Sequence, residues 1–138
     1  VFTLNTDGHS NNNTWNYIGY IFSPIQGYSK FGSYEGNGNA DGTFVYTGFR
    51  PAFIITKSMD STSSWEIFDN KREGYNVDND ALVANDITVE ATADQIDILS
   101  NGFKCRIATD PNVAETYIYM AFAEAPLVNS NGVPCNAR

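Results

Sequence analysis

Histidine is nearly missing from this sequence: His9 is the only one in 138 residues. A Ser-His-Asp relay would have to be built on it, and no G-x-S-x-G turn exists to present a serine. His9 sits in the polar run Asp7-Gly8-His9-Ser10 and reads as a solvated loop residue, so no catalytic residue is expected. Cysteine is scarce too. Cys105 and Cys135 form no C-x-x-C pair and have no histidine close by, which argues against a zinc site. Cys105 alternates with Phe103 and Ile107, which turns it inward as a small apolar residue, whereas Cys135 lies in a Pro- and Asn-rich tail. Two free thiols and one bridge between them both remain open. Basic residues number 8 against 16 acidic ones, for a net charge of −8 and a pI near 4.3. They are scattered, and only Lys71/Arg72 and Lys104/Arg106 come close together. That excludes the cationic footprint of a nucleic-acid partner. It also sets the surface against an anionic membrane or lipopolysaccharide unless cations bridge the two. No apolar run approaches the length of a membrane span, so no membrane insertion is expected. With neither a starting Met nor a signal-peptide pattern, the chain is expected to open in mid-protein.

What the sequence does have is short apolar-polar alternation punctuated by Gly, Asn and Asp. The clearest case is residues 27–57, GYSKFGSYEGNGNADGTFVYTGFRPAFIITK. Phe31, Ser33 and Glu35 alternate with Gly32, Tyr34 and Gly36; residues 43–46 and 52–56 follow with β-branched and aromatic side chains. Period-two patterns of this kind between turn residues predict antiparallel strands. Further strands are expected at residues 1–5, 15–22, 65–68, 87–91, 95–99, 103–108 and 116–123. A polar turn is expected at 58–64, a hairpin turn at 100–102 from its Asn-Gly pair, and a long surface loop at 69–86 with one short turn at 81–84. Nine or so short strands with no helix above one turn give an all-β chain, an antiparallel β-sandwich of jelly-roll-like character with polar loops.

The sequence also repeats itself. YIGYIF at 17–22 aligns with YIYMAF at 117–122, and Phe2 falls near Phe103 when one gap is allowed. Both pairs are joined by polar connections, Thr6-Asp7 and Thr109-Asp110. A separation of about a hundred residues reads as a tandem array. In that reading residues 1–26 are the terminal strand pair of a preceding unit, 27–127 a complete sandwich module and 128–138 a C-terminal tail with little to bury.

Residues 27–57, together with WEIFD at 65–69, LSNGFK at 99–104, YIYMAFAE at 117–124 and NAR at 136–138, resemble a repeat module of long tail-fibre and related structural proteins of marine bacteriophages. The resemblance covers most of the chain. It implies a virion structural role, in an extracellular appendage that meets a host surface, and a trimeric homo-oligomer; it implies no chemistry.

The residues themselves leave several functions to weigh. Paired carboxylates hydrolyse glycans when an apolar setting raises one pKa, and Glu66 beside Trp65 and Asp69 is the nearest such pair. Residues 36–42, GNGNADG, miss the phosphate-loop spacing and lead into a strand instead of a helix, so they read as an open hairpin loop needing positive φ. Residues 76–81, NVDNDA, alternate oxygens like a calcium loop but lack its glycine and its distal Glu. Asp78 and Asp80 are the weak metal candidates there; no cofactor is expected. Aromatics make up 14% of the chain, and exposed rings stack on sugars or line subunit seams. Trp65, Tyr75 and Tyr34, with the amides of Asn37 and Asn39, are the expected ligand contacts. The partner would be a host-surface glycan or protein, engaged by many weak contacts over several copies. Lys104 and Arg106, on one strand face, could pair with acidic loops of a neighbouring copy. Two other functions fit the same residues: a spacer or capsid-decorating module without a ligand, and a carbohydrate-binding module of a glycan-active protein.

Overall fold

The computed structural model describes residues 3–6, 8–72, 76, 80–125, 127–128 and 134–135, and no helix occurs among them. The strands are β1 (Ser29–Glu35), β2 (Phe44–Tyr46), β3 (Pro51–Ser58), β4 (Glu66–Asp69), β5 (Leu82–Val83), β6 (Ile96–Leu99), β7 (Gly102–Cys105), β8 (Thr116–Ala123), β9 (Leu127–Val128) and β10 (Pro134–Cys135). Five of them make a large antiparallel sheet in the order β1-β8-β3-β4-β5, and three make a small one, β2-β7-β6. The strands β9 and β10 pair with each other.

The fold is the antiparallel sandwich that the alternation predicts. Each core strand sends every second side chain between the sheets. From the large sheet come Tyr34, Ile54, Phe68, Tyr117, Tyr119 and Ala121; from the small one Val45, Ile96, Ile98, Phe103 and Cys105. Aromatic packing ties the layers: Tyr34 stacks on Tyr117 at 5.3 Å and meets Phe103 edge-on at 5.8 Å. Such ring pairs contribute about 0.5–1.5 kcal/mol beyond their buried area. Cys105 is a free, buried thiol, and burial pushes its pKa up to about 12, which makes it inert.

Five sequence expectations are corrected. Residues 3–5, the described part of the strand expected at 1–5, form no strand. Residues 15–22 form no strand, because the apolar pattern there has no neighbouring strand to pair with. Residues 87–91 form none either. Ile87 and Val89 stand in solvent, and the Ile87 N–H is taken by the Asp86 carboxylate at 2.6 Å, a local bond that competes with a ladder. Only Ala81 and Ala91 bridge. Within residues 81–84 the short strand β5 takes the place of the expected turn and lines the β4 edge. Residues 127–128 and 134–135 pair as β9 and β10 where a bare tail was expected. Val1, Phe2 and Asp7 lie outside the described residues.

The β6–β7 hairpin is present, but Gly102 does not serve its turn. It pairs with Leu99 inside β7, leaving Ser100 and Asn101 as the connection. A Cβ there would lie 2.1 Å from the Val45 carbonyl oxygen of β2, a backbone atom that cannot step aside. Gly102→Ala is therefore expected to lower stability by about 3 kcal/mol through overpacking, read as a lower urea midpoint at unchanged slope.

Candidate functional site

The strands β3 and β8 are apolar on both faces. While Ile54, Thr56, Tyr117, Tyr119 and Ala121 point into the sandwich, Phe53, Ile55, Ile118, Met120 and Phe122 point out of it. Pairing sets these outward residues in rows: Phe53 beside Phe122, and Ile55 beside Met120 and, across β8, Phe31. Ile67 and Leu82 continue the Ile55 row across β4 and β5. The outer face of the large sheet is thus an aliphatic and aromatic surface. One end is partly covered by the chain itself: the Phe22 ring stacks on Phe31 at 5.6 Å and meets Phe122 edge-on. At the other end Phe31, Ile55, Met59, Trp65, Ile118 and Met120 line an open groove of about 550 Å³. Trp65 is 38% exposed at its rim, on backbone whose N–H donates to Asn85 Oδ1 at 2.8 Å.

Of the expected contact residues, only Trp65 reaches this face. Tyr34 is 8% exposed, and its hydroxyl donates to the Pro111 carbonyl at 2.7 Å; alternation from Gly32 puts it on the inner side of β1, so its ring is core. Asn37 and Asn39 are exposed, but their amides knit their own loop. Asn37 Nδ2 donates to the Asp41 carbonyl at 3.0 Å, and the side-chain oxygens of Asn37 and Asn39 accept from the N–H of Asn39 and Asp41. Gly38, at φ +63°, supplies the positive φ that the loop needs. Tyr75 and Asp78 lie outside the described residues. Asp80 is buried where a solvated loop was expected, and among the described residues no three His, Cys, Asp or Glu side chains are grouped to hold a metal ion.

The sequence reading missed Asn112, whose side chain is fully buried. Its amide nitrogen lies 2.8–2.9 Å from Asn37 Oδ1 and the Asn39 and Ile107 carbonyls. Its oxygen accepts from the N–H of Asn37 at 3.1 Å and of Thr43 at 3.4 Å. One buried amide thus fastens the 36–43 loop to the segment after β7. A lone Asn in a loop carries no sequence signal of this, since all its partners but Ile107 stand some seventy positions earlier.

Comparison of the sequence with protein families gives a match over residues 1–126 to a domain of unknown function, DUF7483. The chain belongs to the DUF7483 family. No curated protein and no solved structure matches it.

The carboxylates of this DUF7483 chain do not form the pair weighed from sequence. Glu66 and Asp69, three apart on β4, point to opposite faces. Burial alone would raise Asp69, but hydrogen bonds from the Arg72 side chain and from the N–H groups of Lys71 and Arg72 outweigh it and lower its pKa. Arg72 Nε binds Asp69 at 2.7 Å and its Nη1 binds Glu90, clamping the 85–91 segment to β4. Glu66 turns inward beside buried Thr56. Burial, with a smaller push from Asp110, raises its pKa to about 7, and its Oε2 has no hydrogen-bond partner. The apolar setting absent from the sequence reading is therefore present, on the inner face of the sheet. Asp110 itself accepts from the Tyr117 hydroxyl at 2.5 Å. Lys104 and Arg106 are matched within the chain, by Asp41 and by Asp97 respectively, and are not held open for a neighbour. His9 lies exposed in its loop, as expected.

Proposed function

We propose that this DUF7483 chain is a non-catalytic structural module of a bacteriophage virion appendage, foremost a tail fibre, that works at a host surface by contact. The resemblance of residues 27–57 and the later matching segments to tail-fibre repeats supports the setting, extracellular and multi-copy, with a trimer as the implied assembly. The observation that carries the contact role is the outer face of the large sheet, where aromatic and aliphatic side chains from β1, β3, β4 and β8 stand at the surface. Patches of this kind mark interaction sites. Weak contacts with a host glycan or protein gain strength when several copies engage at once.

The test is attachment of labelled protein to intact cells of candidate marine hosts. Wild type should bind, and Trp65→Ala should bind at least tenfold less, in the manner of an aromatic hot spot. Equal binding by both proteins sinks the choice of Trp65; no binding by wild type to any host sinks attachment.

A second reading, a spacer or decorating module, is favoured by one feature of the groove. Phe31, Ile55, Met59, Ile118 and Met120 make most of its lining, with Ser33, Trp65 and Tyr119 as the hydrogen-bonding groups and no charged side chain, and a wall so largely apolar suits packing against another module. In that reading the same face meets other modules.

A further inference from the structure

We infer that the outer face of the large sheet is a self-association surface, in which the 15–22 stretch of one copy lies in the Trp65 groove of a second copy. The stretch already touches this face at one point. Phe22 packs on Phe31 and Phe122 of its own chain, but the residues before it leave the surface. Ile18, Tyr20 and Ile21 are 82%, 82% and 76% exposed, and no strand pairs with them. The groove at the other end of the face has the same aliphatic and aromatic character and is also uncovered.

Charge identifies the occupant. Residues 10–29 contain no Asp, Glu, Lys, Arg or His, in a chain whose net charge is −8. The groove lining is equally uncharged. Two copies of an acidic protein repel least where neither carries charge, whereas a charged partner would find nothing here to pair with. The repeat adds a second argument. Residues 17–22 copy the pattern of 117–122, in which Ile118, Met120 and Phe122 are the outward side chains that build the face. Ile18, Tyr20 and Phe22 stand at the matching positions, so the stretch offers the face a strip of its own kind. A cyclic arrangement lets each copy give its stretch to one neighbour and receive another's, a closure that a trimer permits.

The interface rests on the reading of this face as a contact surface and not on the virion setting. Sedimentation velocity over a concentration series tests it, with Ile18→Asp/Tyr20→Asp as the variant. Both side chains are exposed, so folding is retained, and the urea midpoint checks that. Wild type should associate with rising concentration, and the double variant should need at least tenfold more protein to do so. A photo-crosslinker at position 20, in a mixture of isotopically light and heavy protein, should capture peptides containing Met59 or Trp65 of the other copy. Wild type that stays monomeric, a double variant that associates equally well, or crosslinks confined to one chain or to other surfaces would each overturn the interface. Cell binding on the same samples separates the two proposals. Self-association without cell binding upholds the interface and removes attachment, while a cell-binding monomer does the reverse.

Discussion

Asn112→Ala is expected to lower stability by about 3–5 kcal/mol, close to half of what a small domain commands. The side chain is fully buried, and every group it serves loses a partner. The N–H groups of Asn37 and Thr43 are left without their acceptor, and the carbonyls of Asn39 and Ile107 without their donor. Each unsatisfied buried group costs about 1–3 kcal/mol, softened where the loop can shift toward solvent. Urea unfolding reads the loss as a lower midpoint with unchanged slope. Asn112→Asp, nearly the same shape, should do no better, because it removes the donors and adds a buried charge. A loss below about 1 kcal/mol for the alanine variant would show that the loop holds itself.

Glu66 gives the second large effect, and its sign follows from proton counting. In the unfolded chain its carboxyl ionises around its ordinary value of 4.5, whereas in the fold it stays protonated up to about 7. Between those values the native state holds the extra proton, so stability falls as pH rises from about 4.5 to about 7 and is level above that. The contribution lost is about 3 kcal/mol. Asp69 acts in the opposite sense: its lowered pKa gives stability that is lost when pH drops through the acid range. Comparison with Glu66→Gln isolates the first effect. The variant should gain on wild type by about 3 kcal/mol between pH 5 and pH 8 in urea titrations, with its circular dichroism unchanged. A constant difference across that range would mean the carboxyl is ionised in the fold.

Much of the sandwich was legible because period-two alternation is a local signal. Thr116–Ala123 emerges as β8 with the expected bounds, and the alternating runs at 31–36 and 52–56 emerge as β1 and β3, with bounds shifted by one or two residues. The misses come from partners far away in sequence. Residues 15–22 look as much like a strand as 117–122, and what separates them is the presence of β1 and β3 on either side of the latter. Tyr34 can be placed from its own alternation, since a glycine two residues before it leaves room for rings on the inner face. The outer face was also readable. AFII and YIYMAFA are not half-polar alternations but nearly continuous apolar runs, the mark of strands contacted on both sides. Asn112 gave no signal at all, because nothing local distinguishes a clamp from a solvated amide.

The position of β8 has a consequence for how the protein is made. The last long strand among the described residues is second in the large sheet, lying between β1 and β3, which share no hydrogen bonds with each other. During synthesis β3 and β4 can close as a local hairpin, but β1 has no strand to join until Thr116 onward has left the ribosome. At roughly 5–20 residues per second, that wait lasts seconds. Throughout it the edges of β1 and β3 that β8 will pair stay open, and residues 17–22, which share the pattern of β8, have already been made. Late arrival of the proper occupant makes nascent chains competitors for each other's open edges, a hazard that grows with the number of ribosomes on one message.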